Sequence, residues 1–573
     1  MRLFGFSRIL AVGALILGTL TACALNTARR HPGALPGGDG AVSSAEPAAT
    51  EIGLQILGAG GNAADAAVAV ALALAVVHPQ AGNLGGGGFA VVRMGEEVAA
   101  LDFRETAPAA ARREMYIGPD GEPIDRASRF GPLAAGVPGS PAGLYALHRR
   151  FGELPWEAIV EPAVRLARDG FPATPRLVNA LEWKQEDLAR FPGSAAVWLP
   201  GGKIPETGQI IRIPELAKTL AAFGRLGPKA IVEGELATAI ERASTAHGGI
   251  MTAADLAAYR PVWREPVRFQ ALGWTFASMP LPSSGGIILG QTLQILERLD
   301  WADLPPDEVE RAHLLVETWR RSYADRFMLG APETTRATAD HLLDPSWLAR
   351  RAGAIDRSSA TPSAGIRAWP GGLREESGET THLSVVDGSG GMVSLTTTLN
   401  GWFGCSLLVP EAGFLLNNEM DDFTTVPDRP NMFNLIQGDA NSVRPGARML
   451  SSMSPTIAWR GAEGIAIGSP GGSRIPTATA QVLLRLIVDG EPLQKAIEHP
   501  RFHHQWRPDE IALEAGAFTE ETQAALRGLG HELRVSGWRI GEVNAVRSYA
   551  DGSTEAAADP RGPGGAGRID RER

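Results

Sequence analysis

Residues 378–387 read GETTHLSVVD. Gly378 and Glu379 end a loop-like stretch, and strand sequence begins abruptly at the pair Thr380-Thr381. A threonine at a strand start is ordinarily a β-branched residue in a favourable place. It has one chemical use besides. If the chain is cut before Thr380, that residue gains a free α-amine beside its own hydroxyl. An α-amine has a pKa of about 7.7–8.0 and is a usable base near neutrality. It is also a recognised activator of a threonine nucleophile. From these ten residues both readings stand, and nothing separates Thr380 from Thr381.

Working outward, Gly391–Asn400 (GMVSLTTTLN) reads as a second strand, joined to Thr381–Asp387 through the hairpin-type connection Asp387-Gly388-Ser389-Gly390. On it Thr396, Thr398 and Asn400 alternate by two and share a face. A polar face on a buried strand needs partners. Upstream, Arg351–Ser377 has Pro, Gly, Ser and scattered charges without a period, and reads as loop. Helices are expected over Ala48–Gly58, Asn62–Val77, Pro155–Asp169 and Glu308–Phe327, and within Leu483–Val488 and Leu493–Glu498. The Asn62–Val77 segment is apolar nearly all round, which predicts a buried helix. Strands are expected at Val267–Ser278, Thr456–Trp459 and Gly464–Ile467.

The composition, 44% hydrophobic and 21% charged, is that of a globular protein, and the net charge of −10 without a basic run argues against a nucleic-acid partner. At the N-terminus Arg2 and Arg8 precede the short apolar run Ile9–Leu20, which has signal-peptide architecture and is too short for a comfortable membrane span. Leu20-Thr21-Ala22-Cys23 resembles a lipobox, so Cys23 is the expected lipidation site, with Ala24 pointing to outer-membrane sorting in the periplasm; a soluble periplasmic chain is the alternative. Asn26–Pro47 reads as a tether and the tail from Arg561 as mobile. Cys405 is the only other cysteine, so no disulfide framework is expected.

Several further stretches group polar residues with glycines: GNAADAAVAVALALAVVHPQAGNLGGGGF, DFRETAP, LPSSGG, TLNGWFG, LLNNEMDDF, RMLSSMSPT, GSPGGSRI and PRFHHQW. The Gly85–Gly88 run matches neither a dinucleotide fingerprint nor a P-loop and is read as close-packed backbone. His503-His504 lacks a third ligand at zinc-like spacing, so packing is the expected role and no metal is assigned. Together with TTHLSVVD, and in this order from about Gly61 to Trp506, these stretches resemble the γ-glutamyltranspeptidases of the N-terminal nucleophile hydrolase superfamily.

The resemblance implies a four-layer αββα sandwich built jointly by two fragments. A signal peptide (1–22) and tether (23–47) precede a large subunit (48–379) and a small one (380–573), interlocked in one unit. It implies self-cleavage between Glu379 and Thr380, with Thr380 as nucleophile and Thr398 hydrogen-bonded to it. Gly471 and Gly472 supply oxyanion-hole N–H groups; losing one such donor costs about 2.7–4 kcal/mol. Arg104 with Ser451 and Ser452 takes a substrate α-carboxylate, whereas Asn400, Glu419 and Asp422 take its α-ammonium, as suits a guanidinium fork and acidic acceptors respectively. Phe433 falls where some bacterial members have a lid tyrosine, and residues Thr425–Arg448 are long enough to form that lid. The implied reaction passes a γ-glutamyl group from a donor such as glutathione to water or to an amino-acid or peptide amine, without a cofactor. The alternatives are a related acylase acting on cephalosporin-type side chains or poly-γ-glutamate, and an unprocessed surface lipoprotein that only binds γ-glutamyl compounds.

Overall fold

The computed structural model describes residues 40–306, 309–335, 337–366, 380–426 and 429–569. Glu379 and Cys23, the expected cleavage and lipidation positions, lie outside them. Two antiparallel sheets form the centre. The first has seven strands in the order Gly565–Ile569, Gly40–Ser44, Thr381–Val386, Met392–Thr398, Gly87–Met94, Glu97–Phe103 and Val262–Arg264. The second has six, in the order Thr554–Ala558, Asn544–Ser548, Glu463–Gly468, Thr456–Arg460, Trp274–Ser278 and Val267–Ala271.

The sheets face each other across a layer in which Phe89, Val91, Val386 and Met392 meet Ala277, Ile457, Ala466 and Val546. The outer face of the first sheet is covered by helices that include Pro47–Gly58, Ala63–Val77 and Trp156–Asp169. The second is covered by Gly285–Arg298, Val309–Arg326, Ile475–Ile487 and Leu493–Glu498. This is the expected αββα sandwich. Ala63–Val77 is buried at every position, as its apolar circumference requires. Asn62 caps it: its side chain accepts from the Ala64 and Asp65 amides, and Asp65 reciprocates.

Three expectations are corrected. The tether does not extend to Pro47, since Gly40–Ser44 is a fully buried strand and Pro47 opens a helix. The tail from Arg561 is not loose, since Gly565–Ile569 is the edge strand that pairs with Gly40–Ser44. Both segments are made of small and polar residues that read as linker; their order comes from main-chain pairing with strands remote in sequence. Val267–Ser278 is a hairpin rather than one strand, turning at Leu272-Gly273, where both residues have positive φ.

Thr381–Val386 lies between Gly40–Ser44 and Met392–Thr398, placing Thr380 at the start of a central strand. The Gly85–Gly88 run is close-packed as expected. A Cβ on Gly86 or Gly88 would collide with the carbonyl of Thr398 or Thr396, so these glycines let two strands and a loop meet beside Thr380.

Candidate active site

Thr380, only 4% exposed, lines a small cavity. Thr398 and Asn400 line it from the end of the neighbouring strand, and Gly472 and Phe433 line it from later loops. Its charged wall consists of Arg104, Arg326, Glu419 and Asp422, with Ser451 and Ser452 between them. Arg104 follows the strand Glu97–Phe103; Glu419 and Asp422 sit on one short 3-10 turn, Glu419–Asp422. Residues more than 300 positions apart thus share one pocket.

The geometry of the charged wall differs from a simple division into an acid side and a base side. Arg104 Nη1 donates to Glu419 Oε1 and Nη2 donates to Asp422 Oδ2, so the two halves of the expected clamp are paired with each other. Glu105 stands behind, 3.9 Å from Arg104 Nη1. Burial works against the Arg104 charge, but Glu419, Asp422 and Glu105 outweigh it and hold its pKa above the ordinary arginine value. Burial pushes the Asp422 carboxyl up, with Arg104 and Arg326 pulling it partly back. Burial likewise carries Glu419 well above the usual carboxylate range, and Glu105 up to about 7. A ligand ammonium near Glu419 and Asp422 would favour their ionised forms.

Polar atoms in this wall are left for a ligand. Ser452 Oγ and Glu419 Oε2 are buried without a hydrogen-bond partner among the described residues. A buried polar atom without a partner is costly, so such atoms in a cavity wall suit ligand contacts. Ser451 is held in place: its amide donates to Pro282 O at 2.8 Å, and its Oγ accepts from the Met453 amide at 3.1 Å. Asn400 has φ +75°, and its Nδ2 donates to Asn418 O at 3.0 Å, so its Oδ1 is the side-chain atom left to meet a cation.

Thr398 shares the cavity with Thr380, and its Oγ1 accepts from the Asn400 amide at 2.7 Å, which fixes the turn that ends the strand. The glycine pair divides between two cavities. Gly472 lines the Thr380 cavity, whereas Gly471 lines an adjoining one on the other side of Phe433. Both glycines have positive φ, +124° and +57°, and the Phe433 ring lies directly against Gly472. Phe433 is held through its backbone: its amide donates to Asn431 Oδ1 at 3.0 Å, and its carbonyl accepts from Gln505 Nε2 at 3.2 Å. Asn431 Nδ2 in turn donates to Asp422 Oδ1 at 3.2 Å, tying this segment to the charged wall.

The histidines have structural roles. His382 reaches Thr396 Oγ1 at 2.9 Å and Ser384 Oγ at 3.0 Å, and its ring lies against Gly468 of the second sheet; burial pulls its pKa to about 3. His503 bonds Thr477 Oγ1 at 2.8 Å and Gln505 Oε1 at 2.9 Å, so it supports the residue that holds Phe433. Arg326, Leu435, Met453 and Ile475 also line the cavity and were not anticipated from sequence. The helix carrying Arg326 was expected, but nothing in its linear pattern marks which of its many charges turns inward.

A buried threonine at the start of a central strand in an αββα sandwich, opening into a cleft, is the arrangement of the N-terminal nucleophile hydrolases, and the chain has that fold. The family model described as gamma-glutamyltranspeptidase matches residues 49–569, and the chain belongs to that family. It is 41% identical over 536 residues to the glutathione hydrolase proenzyme of Pseudomonas aeruginosa, covering 92% of this chain and 94% of that one. It is also 41% identical over 527 residues to the glutathione hydrolase proenzyme of Escherichia coli strain K12, covering 91% and 90%. Among solved structures, the cephalosporin acylase from Bacillus halodurans is similar at a TM-score of 0.80 and 25% identity, covering 94% of this chain and 97% of that one.

Proposed function

We propose that this protein is a self-processing γ-glutamyltransferase and glutathione hydrolase. The observation that carries the reading is the convergence of Thr380, Arg104, Asp422 and Gly472 on one cavity. In processing, Thr380 Oγ1 attacks the Glu379 carbonyl and the peptide C–N bond breaks, so that an ester forms and the Thr380 α-amine is freed with the hydroxyl proton; water then hydrolyses the ester to the Glu379 carboxylate and restores the Thr380 hydroxyl. In turnover that amine takes the Thr380 hydroxyl proton as Oγ1 attacks the γ-carbonyl of the donor. The carbonyl oxygen becomes an oxyanion near the Gly472 backbone, where preorganised N–H groups stabilise it. Collapse expels the amine, which leaves with the proton, and a γ-glutamyl ester of Thr380 remains. Water or the amine of an amino acid or peptide then attacks the ester and restores the hydroxyl. Arg104 with Ser451 and Ser452, and Asn400 with Glu419 and Asp422, hold the amino-acid head so that the γ-carbonyl reaches Thr380.

The likeness to a cephalosporin acylase supports acyl-transfer chemistry. The pairing of a guanidinium with acids in one wall favours a zwitterionic head over an acyl chain without an α-amine. The fragments are residues 23–379 and 380–573, interlocked, with Cys23 lipidated and anchored in the outer membrane on the periplasmic side. A denaturing gel and turnover of L-γ-glutamyl-p-nitroanilide test the enzyme reading: two bands and release of nitroaniline are expected, and one uncut, inactive band for Thr380→Ala. A Thr380→Ala chain that still splits at that bond rules Thr380 out as the nucleophile. Detergent partitioning that Cys23→Ala abolishes is expected for the anchor; a wild-type chain that stays aqueous rules it out.

A further inference from the structure

Arg326 is the last residue of the helix Val309–Arg326 and is only 3% exposed, yet it lines the Thr380 cavity. Its Nε donates to Ser284 Oγ at 3.0 Å and its Nη1 to Gln437 Oε1 at 3.2 Å. Among the described residues Nη2 has no hydrogen-bond partner, and no carboxylate lies within ion-pair distance. A buried guanidinium without a counter-ion is costly and is compensated when an anion arrives. Arg104, by contrast, is already occupied at Nη1 and Nη2 by Glu419 and Asp422.

The two hydrogen bonds of Arg326 also place it between the parts of the site. Ser284 donates its amide and its hydroxyl to Ser451 O, at 2.9 and 2.8 Å. Gln437 Nε2 donates to Asp422 O at 2.8 Å. The arginine is therefore braced against the backbone of Ser451 on one side and of Asp422 on the other, with one N–H edge uncommitted. Braced donors whose rotamers are fixed by neighbours are what a selective anion subsite requires.

We propose that Arg326 is a specificity-determining residue of the donor subsite, supplying the uncommitted cation that selects a donor head bearing an α-carboxylate. With Arg104 locked to two acids, the site otherwise offers that carboxylate only a neutralised guanidinium and hydroxyl groups. Removing the Arg326 charge leaves Arg104, already paired with Glu419 and Asp422, as the remaining arginine of the wall, which weakens the hold on a carboxylate and still tolerates a plain ammonium.

This inference rests on the γ-glutamyl reading, and the test separates the two. The kcat/KM of L-γ-glutamyl-p-nitroanilide is compared with that of 4-aminobutyryl-p-nitroanilide, the same acyl chain without the α-carboxylate. Processing into two fragments and thermal stability are recorded for each variant. Arg326→Gln is expected to lower the preference for the carboxylate-bearing donor at least 30-fold, mainly through KM. Arg326→Lys, which keeps the charge but not the fork, is expected to lower it 3- to 10-fold. If Arg326→Gln does not fold, the lysine variant carries the test alone. An equal fall for both donors, or an unchanged ratio in the lysine variant, overturns the role of Arg326. No turnover of the γ-glutamyl donor by the wild-type protein overturns the functional reading instead.

Discussion

Arg104 and Asp422 form a buried ion pair in the wall of the Thr380 cavity, with Nη2 and Oδ2 2.5 Å apart. The pair joins the first part of the chain to its second half, and under the proposed function a zwitterionic head shares or exchanges these partners. Breaking such a pair by removing one member leaves an uncompensated charge, at a cost of about 3–5 kcal/mol.

Asp422→Asn is therefore expected to lower kcat/KM for a γ-glutamyl donor by about 30-fold or more, the scale of losing one member of a buried, hydrogen-bonded charge pair. Steady-state kinetics on the processed enzyme check this. A kcat/KM within threefold of wild type would place the ammonium elsewhere.

Gly472 has φ +57° and the Phe433 ring lies against it. Gly472→Ala adds left-handed strain of about 1–2 kcal/mol and pushes the ring away. Activity is expected to fall at least tenfold, and Phe433→Ala in the same chain is expected to recover part of it, since residues in contact couple. A double-mutant cycle on kcat/KM reads the coupling; strict additivity is the contrary result.

Glu46 Oε1 lies 3.2 Å from His78 Nδ1, both buried, where burial pushes the Glu46 carboxyl up to about 7 against a partial pull from Arg176. The folded chain holds this proton between about pH 4.5 and 7, while the unfolded chain releases it. Stability from this group thus falls as pH rises through that window. Each tenfold in proton affinity is about 1.4 kcal/mol. Glu46→Gln is expected to be more stable than wild type at pH 8 by about 1–3 kcal/mol and to flatten the slope. Urea denaturation at pH 5 and pH 8 measures it; a loss of stability at pH 8 contradicts it.

His382 acts in the opposite sense. Burial holds it neutral, with a pKa of about 3. The unfolded chain takes a proton as pH falls through the ordinary histidine range, and the folded chain does not, so stability is lost as pH falls from about 6.5 toward 3. His382→Gln is expected to reduce that acid sensitivity, while destabilising the neutral protein by about 1–3 kcal/mol through the Thr396 and Ser384 hydroxyls left behind. Melting temperatures between pH 4 and pH 8 compare the two slopes, and parallel curves contradict the assignment.

Local patterns made much of this legible. The all-apolar Asn62–Val77 segment had to be a buried helix, and the two strands after Thr380 followed from their alternation and the turn between them. The site residues were legible because distinct polar clusters recur in one order along the chain. Arg326 was not, since a helix with Glu317, Arg320, Arg321 and Arg326 all buried has no polar face from which to choose. Gly40–Ser44 and Gly565–Ile569 were missed because small residues carry little periodic signal, and their order lies in pairing with each other across 521 positions or more.

By itself, then, the sequence determined the chemical inventory: a threonine at a loop-to-strand switch, a guanidinium, paired acids, paired serines and a glycine pair. Chemistry of side chains is local and survives in the linear text. Tertiary structure alone decided the wiring. It bound Arg104 to Glu419 and Asp422 rather than leaving it free, set the Phe433 ring against Gly472, and brought an uncommitted edge of Arg326 into the same cavity. Those relations depend on which buried charges find partners once water is excluded, and that is settled only when distant segments meet.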